Sequence, residues 1–296
     1  MSFDATGPEA VNERHSLPVT VYSAESPLRH PLTLISEIVW DLWRCRELIW
    51  ILFIRDLKAQ YRQSLLGYIW LFVPMISTTT IWMFLNSTKV IAVTKTPIPY
   101  PAHVLIGSMI WEVFTASVNQ PLTSFHAGKS VFMKLKVPPE AFILSGLSRV
   151  IFELLIRMLV LVPVFAVLGM VPAPTALLFP LGMLAVVVFG VSVGFAILPI
   201  GSLYTDVGRL FGAGLGLAMY LAPVVCPLPS DGWTAVVMNC NPMTAFVMTT
   251  RDWLTLGHSS YLPTMLMTTL SALLLLFFAM IAFRVTLPRL IERMGM

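Results

Sequence analysis

Long stretches without charged side chains constrain this chain more than any other feature. A helix needs about 20 apolar residues to cross the hydrocarbon core of a bilayer, which is about 30 Å thick. We interpret the following stretches as membrane spans: residues 65–88, 102–125, 141–168, 176–200, 210–225 and 262–283. The sequence therefore predicts an all-α integral membrane protein with six transmembrane helices.

Composition supports a membrane protein. Only 11% of the 296 residues are charged and the mean hydropathy is +0.81, whereas a soluble domain carries about 25% charged residues. We attribute the net charge of +4 to loops that face anionic lipid headgroups, so no nucleic-acid partner is expected. Cys45, Cys226 and Cys240 have no metal-binding spacing. Cys226 and Cys240 fall in one outer loop, where two unpaired thiols are favoured over a disulfide.

A basic segment between the second and third spans fixes the orientation. Residues 128–140, GKSVFMKLKVPPE, contain Lys129, Lys134 and Lys136 but only one acid, Glu140. Short loops rich in Lys and Arg remain in the cytoplasm. Alternation of the six spans then places both chain termini on the cytoplasmic side.

The remaining segments complete the predicted organisation. Residues 1–32 are predicted to be a disordered cytoplasmic tail, and residues 33–63 an amphipathic helix in the membrane interface, with tryptophans at its boundary. Residues 64–284 form the six-span domain, and 285–296 a cytoplasmic C-terminal tail. Between spans five and six, residues 223–258 hold two short apolar patches, which predict re-entrant helices that enter the membrane from outside.

Charged residues inside the spans are candidates for function. Arg149, Glu153 and Arg157 are spaced by four, so they lie on one face of the third span. They form either a ladder of salt bridges or a polar path or headgroup anchor for a charged substrate, and the ladder is favoured. Glu112 either pairs with Arg157 across helices or faces a water-filled cavity.

Motifs for catalysis and nucleotide binding are missing. Gly128-Lys129-Ser130 looks like the end of a phosphate-binding loop, but Thr123 occupies the place of its first glycine. HExxH and GxSxG motifs are absent. We therefore expect a non-catalytic chain with no metal and no cofactor of its own.

Three short motifs resemble one known family, the permease subunits of ABC-2 type exporters, in particular those that export polysaccharides such as O-antigen, capsule or teichoic acid. Residues 55–70, RDLKAQYRQSLLGYIW, are similar to that family's RDLKxRYxxSxLGxxW pattern before the first span. The others are Ala222-Pro223-Val224-Val225, and Asn241-Pro242 followed by Arg251. The chain departs from the family at Val137-Pro138-Pro139-Glu140 and at Thr205-Asp206.

The resemblance implies an assembly and a substrate. It implies a homodimer with two copies of a separate ABC ATPase, which binds ATP and Mg, in a bacterial cytoplasmic (inner) membrane. The substrate would be a lipid-linked glycan. A cytoplasmic coupling helix over residues 129–137 would contact the ATPase through Lys129, Ser130, Phe132, Met133, Leu135 and Lys136. Arg55, Lys58 and Arg62 would lie where the substrate headgroup enters.

Several alternatives remain open from the sequence. Tyr68, Trp70 and Trp111 either stack on sugar rings or anchor the protein at the membrane interface. The same fold also suits an exporter of drugs or small lipophilic molecules. A channel or ion-coupled carrier that does not use ATP is the third hypothesis.

Overall fold

The computed structural model describes residue 40 and residues 43–62, 65–90, 96–132 and 139–295. Every regular element in these ranges is a helix, which confirms the predicted all-α class. The α-helices are α1 Arg46–Tyr61, α2 Val73–Ser87, α3 Tyr100–Phe132, α4 Pro139–Val167, α5 Phe179–Leu203, α6 Thr205–Ala218, α7 Trp233–Cys240, α8 Pro242–Thr255 and α9 Leu262–Gly295. Short 3-10 helices occupy Gly67–Leu71, Pro174–Leu178 and Met219–Leu221.

Four helical segments are long and apolar enough to cross a membrane. They are Tyr100–Lys129, Pro139–Val167, Pro174–Leu203 and Leu262–Leu290. These segments correspond to the second, third, fourth and sixth predicted spans. The chain is therefore a membrane protein with at least these candidate spans among its described residues.

The first and fifth predicted spans are each interrupted. Gly67, with φ of 51°, begins a 3-10 helix, and Pro74 lies in the first turn of α2. Proline is tolerated there because its missing N–H has no partner within the helix, so Pro74 begins a helix and does not kink one. α2 has 15 residues and α6 has 14, and each is only about 21–23 Å long at 1.5 Å per residue.

Helix α3 lies at the centre of the fold. It packs against α5, α4 and α2, while α9 packs against α5. Within the most apolar window of each span, 78% of the residues are buried in α3, but only 28% in α4 and 17% in α9. The exposed apolar side chains of α4 and α9 are those expected to face lipid.

Two glycines allow α5 to approach α3 closely. A Cβ atom at Gly190 would lie 2.6 Å from the Cβ of Ser117, and one at Gly194 would lie 2.4 Å from the backbone oxygen of Val118. Small residues at four-residue spacing give this kind of contact between membrane helices. Gly212 and Gly216 of α6 differ, because an added Cβ at either position has no other described group within 4 Å.

The helix ends differ from the predicted boundaries. α9 continues to Gly295 and thus includes residues 285–295, which we predicted to be a tail. Lys129, Ser130 and Phe132 belong to the last turns of α3 and not to a separate helix. Residues 133–138, with Met133, Leu135 and Lys136, lie outside the described residues, as do the predicted tail 1–32 and residues 33–39.

Replacement of Gly194 by Ala should lower the free energy of unfolding by about 1–3 kcal/mol, the usual cost of overpacking a core. The added Cβ would collide with a backbone oxygen, which cannot rotate away. Gly214→Ala is the matched control, because nothing lies within 4 Å of that position. Thermal unfolding in detergent, followed by circular dichroism, measures both variants. Equal melting temperatures for the two would contradict the close contact between α3 and α5.

Candidate functional site

A polar cleft lies where the surface helix α1 meets α3 and α4. Its volume is about 430 Å³, within the range of about 300–1,000 Å³ that is usual for small-molecule sites. The lining residues come from all three helices: Asp56, Ala59, Gln60, Gln120, Thr123, Ser124, Ala127, Phe142 and Arg149. The cleft lies toward the Lys129 end of α3, which the sequence predicts to be the cytoplasmic end.

Arg149 is the cation of this cleft, and two neighbours fix its position. Its Nη2 donates a hydrogen bond to Oε1 of Gln120 over 2.9 Å, and its Nε lies 3.7 Å from Oε1 of Glu153. The Nε2 of Gln120 in turn donates to the hydroxyl of Ser124 over 2.9 Å. The Arg149 side chain is 30% exposed and lines the cleft, so it is held by protein groups yet remains open to the cleft.

The same network reaches the surface helix. Gln60 of α1 donates from its Nε2 to Oε1 of Glu153 over 3.4 Å. Gly146 of α4 makes the network possible, because a Cβ there would lie 2.0 Å from Oγ of Ser124 and 2.2 Å from Nε2 of Gln120. Hydrogen bonds therefore connect α1, α4 and α3 across the cleft.

The basic residues predicted to receive a headgroup lie beside the cleft and not in its lining. Arg55 forms an ion pair with Asp56, with Nη2 2.8 Å from Oδ1. Lys58 and Arg62 are exposed on α1. Sequence reasoning identified Arg149 and Glu153 but missed Gln120, although the polar pair Gln120 and Ser124 at i and i+4 in a span was a usable signal.

The ladder predicted along α4 is only half formed. Arg149 and Glu153 pair, but no ion pair joins Glu153 to Arg157, both of which are described. Arg157 is 6% exposed, and among the described residues no ion pair joins it to Glu112 of α3. Pairing of Glu112 with Arg157 across helices and a water-filled cavity beside Glu112 both stay predictions.

The aromatic candidates separate into two groups. Tyr68 and Trp70 are exposed, and the ring of Tyr68 lies 6.1 Å from that of Phe152 on α4. Trp111 is buried in the core against Phe114, at a ring distance of 5.3 Å. Its burial argues against the predicted stacking role for Trp111.

On the opposite side of the fold, two of the sequence motifs meet, Ala222-Pro223-Val224-Val225 and Asn241-Pro242 with Arg251. Arg251 of α8 donates from Nη2 to the backbone oxygens of Pro223, over 2.9 Å, and Val224, over 3.2 Å. Asn241 caps α8 by accepting from the backbone N–H of Met243, and its Nδ2 donates to the oxygen of Leu221. The motifs therefore hold in place the linker that contains Pro223 and Val224.

Cys226 and Cys240 are both free thiols.

Comparison with known proteins agrees with this arrangement. Residues 47–254, more than half of the chain, match the family described as ABC-2 type transporter. The O-antigen export system permease protein RfbA of Myxococcus xanthus is 25% identical over 71% of this chain and 81% of its own length. An O-antigen export system permease protein RfbA of Klebsiella pneumoniae is 25% identical over 76% of this chain and 86% of its own length. The matched residues include α1, the cleft helices α3 and α4, and α8 with Arg251, and the chain belongs to the ABC-2 type transporter family.

Proposed function

We propose that this chain is the permease subunit of an ATP-driven ABC exporter that moves a lipid-linked polysaccharide across the cytoplasmic membrane. The observation that carries the proposal is the similarity to O-antigen export permeases, which extends over 71–76% of the chain. Family membership supports transport as the activity. The chain itself has no nucleotide-binding motif, so ATP hydrolysis belongs to a separate ATPase, present in two copies with Mg.

The proposed topology keeps six crossings with both termini in the cytoplasm. The 3-10 helix Gly67–Leu71 together with α2, and α6 together with Met219–Leu221, supply the two additional crossings. The short helices α7 and α8, of 8 and 14 residues, are about 12 and 21 Å long. Both are shorter than the hydrocarbon core, which supports a re-entrant pair that enters from the outer side.

A homodimer would cover the apolar face of α6. Leu210 is 73% exposed and Leu217 71% exposed, and an added Cβ at Gly212 or Gly216 has no other group within 4 Å in the described part of the chain. Glycines at this spacing favour close approach of a second helix. Two copies of α6 packed together would give the two protomers a shared path for the substrate.

The cleft is the proposed access site for the substrate headgroup. A lipid pyrophosphate is anionic, and Arg149 offers a fixed guanidinium that is only partly exposed. Amide and hydroxyl groups of Gln60, Gln120, Thr123 and Ser124 line the same cleft and suit sugar hydroxyls. Arg55, Lys58 and Arg62 attract the anion along the surface of α1.

Deletion of the gene tests the proposed function as a whole. Loss of the surface polysaccharide, with its lipid-linked precursor accumulating inside the cell, is the expected result. Unchanged glycans together with increased sensitivity to lipophilic drugs would indicate that the protein exports small molecules and not a polysaccharide. Transport that continues after the ATPase is removed would instead indicate a channel or carrier.

Replacement of Arg149 by Gln should reduce polysaccharide export about tenfold or more, because a hydrogen bond to a charged group contributes about 1.5–3 kcal/mol. Gly146→Ala should reduce export as well, since the added Cβ displaces the amide of Gln120 and the hydroxyl of Ser124. Ser148→Ala is the control, because that hydroxyl bonds only to the Leu144 oxygen of its own helix. Surface glycan is compared at equal amounts of permease in the membrane. Normal export by both cleft variants would exclude the cleft as the access site.

Simultaneous replacement of Phe132 and Leu135 by Glu should uncouple the ATPase from transport. The two apolar side chains are proposed to contact the ATPase next to Lys129, and a buried carboxylate at such a contact is costly. The expected result is a permease present in the membrane, with ATPase activity retained and export lost. The control is Arg209→Gln, which changes an exposed side chain of α6. Full export and normal ATPase copurification by the double variant would contradict the coupling role.

A further inference from the structure

A second cleft lies away from the access site, between the end of α5 and the last turns of α9. Its volume is about 390 Å³. Its lining combines apolar and basic side chains: Pro199, Ile200, Leu203, Tyr204, Thr286, Arg289, Leu290 and Arg293. We call it the α5–α9 groove. Nothing in the proposed transport path uses it.

Two arginines of the groove have no partner within the described residues. Arg289 and Arg293 are exposed and spaced by four on α9, so they lie on the same side of the helix. None of the described residues that line the groove is acidic. Arg284, about one turn earlier, behaves differently because its Nε donates to Oε1 of Glu140 over 2.8 Å. One arginine of α9 is thus neutralised inside the protein, and two present their charge outward.

The groove also has an exposed apolar wall at the membrane boundary. Ile200 is 55% exposed and Leu203 39% exposed. The two candidate spans have 30 and 29 residues, about 43–45 Å at helical rise, which exceeds the hydrocarbon core of about 30 Å, so we place the groove, at their last turns, at the membrane boundary. Apolar side chains therefore lie on the membrane side of the groove and the guanidinium groups on the headgroup side.

We propose that the α5–α9 groove binds an anionic phospholipid. Arg289 and Arg293 bind the headgroup phosphate, and the hydroxyl of Tyr204 donates a further hydrogen bond. The first part of an acyl chain lies against Pro199, Ile200 and Leu203. A soluble anion would leave this wall uncovered, and an acidic protein surface would have to reach hydrophobic side chains at membrane depth. A phospholipid binds the arginines through its phosphate and covers the apolar wall with its acyl chain.

Native mass spectrometry of the purified full-length protein tests this site. The protein is offered short-chain phosphatidylglycerol and phosphatidylcholine with identical acyl chains, and bound lipid is counted. Arg289→Gln with Arg293→Gln should weaken phosphatidylglycerol binding about 30-fold, since each basic residue near an anionic lipid contributes about fivefold. Phosphatidylcholine binding should not change. Arg289→Lys with Arg293→Lys should retain the preference, and Ile200→Ser should weaken binding of both lipids.

The control removes the same charge elsewhere. The control is the double variant Arg46→Gln with Arg209→Gln, whose two positions lie on α1 and α6, outside the groove. This variant should keep the preference for phosphatidylglycerol. Melting temperatures verify that all variants remain folded. Equal loss in the control, or full retention in the groove variant, would overturn the proposal. It would also be overturned if a polyprenyl phosphate but not phosphatidylglycerol competed for the groove, or if the groove variant lost the ATPase while lipid binding stayed intact.

Discussion

The buried guanidinium of Arg251 organises the half of the molecule opposite the access cleft. Only 3% of the residue is exposed, and burial lowers its pKa to about 10, so the side chain remains a cation at neutral pH. A buried cation is very unfavourable unless hydrogen bonds replace water. The carbonyls of Pro223 and Val224 accept hydrogen bonds from Nη2, which ties the linker after α6 to α8, whereas Nε and Nη1 have no hydrogen-bond partner among the described residues. Gly107 of α3 leaves the necessary room, because a Cβ there would lie 2.5 Å from Nη2 of Arg251.

The charges toward the other membrane surface follow a graded pattern. Arg284 is paired with Glu140 over 2.8 Å and is mostly buried, whereas Arg149 keeps one side open to the access cleft. Arg289 and Arg293 are exposed beside an apolar wall. Arginines that are neutralised internally hold helices together, and those left open are available to anions outside the chain. By this difference Arg284 is a structural cation, whereas Arg149, Arg289 and Arg293 are candidates for binding anions.

Hydropathy predicted the long apolar spans correctly, but it failed to predict helix ends that are set by local backbone conformation. The spans at α3, α4, α5 and α9 were correct because long uncharged runs have few alternatives in a membrane. The left-handed φ of Gly67 lies inside the predicted first span, and the extended backbone of Ala222 ends the helical structure before the predicted end of the fifth span. Lys129 was assigned to a separate helix because its charge suggested a loop, yet residues 122–132 contain no proline that would end α3 before Phe132. The access cleft was not predictable as a whole, since α1, α3 and α4 meet only through tertiary packing.

The single helix α3 connects the two halves of the molecule. Its 33 residues extend about 50 Å, from the neighbourhood of Arg251 at Gly107, past Gln120 in the access cleft, to Lys129. Pro121 interrupts its backbone hydrogen bonding directly after Gln120. Any bend of α3 is therefore concentrated at the cleft, where it changes the distance between Gln120 and Arg149. A force applied at the Lys129 end of α3 would therefore change the geometry of the access cleft through this one helix, with no other element between them.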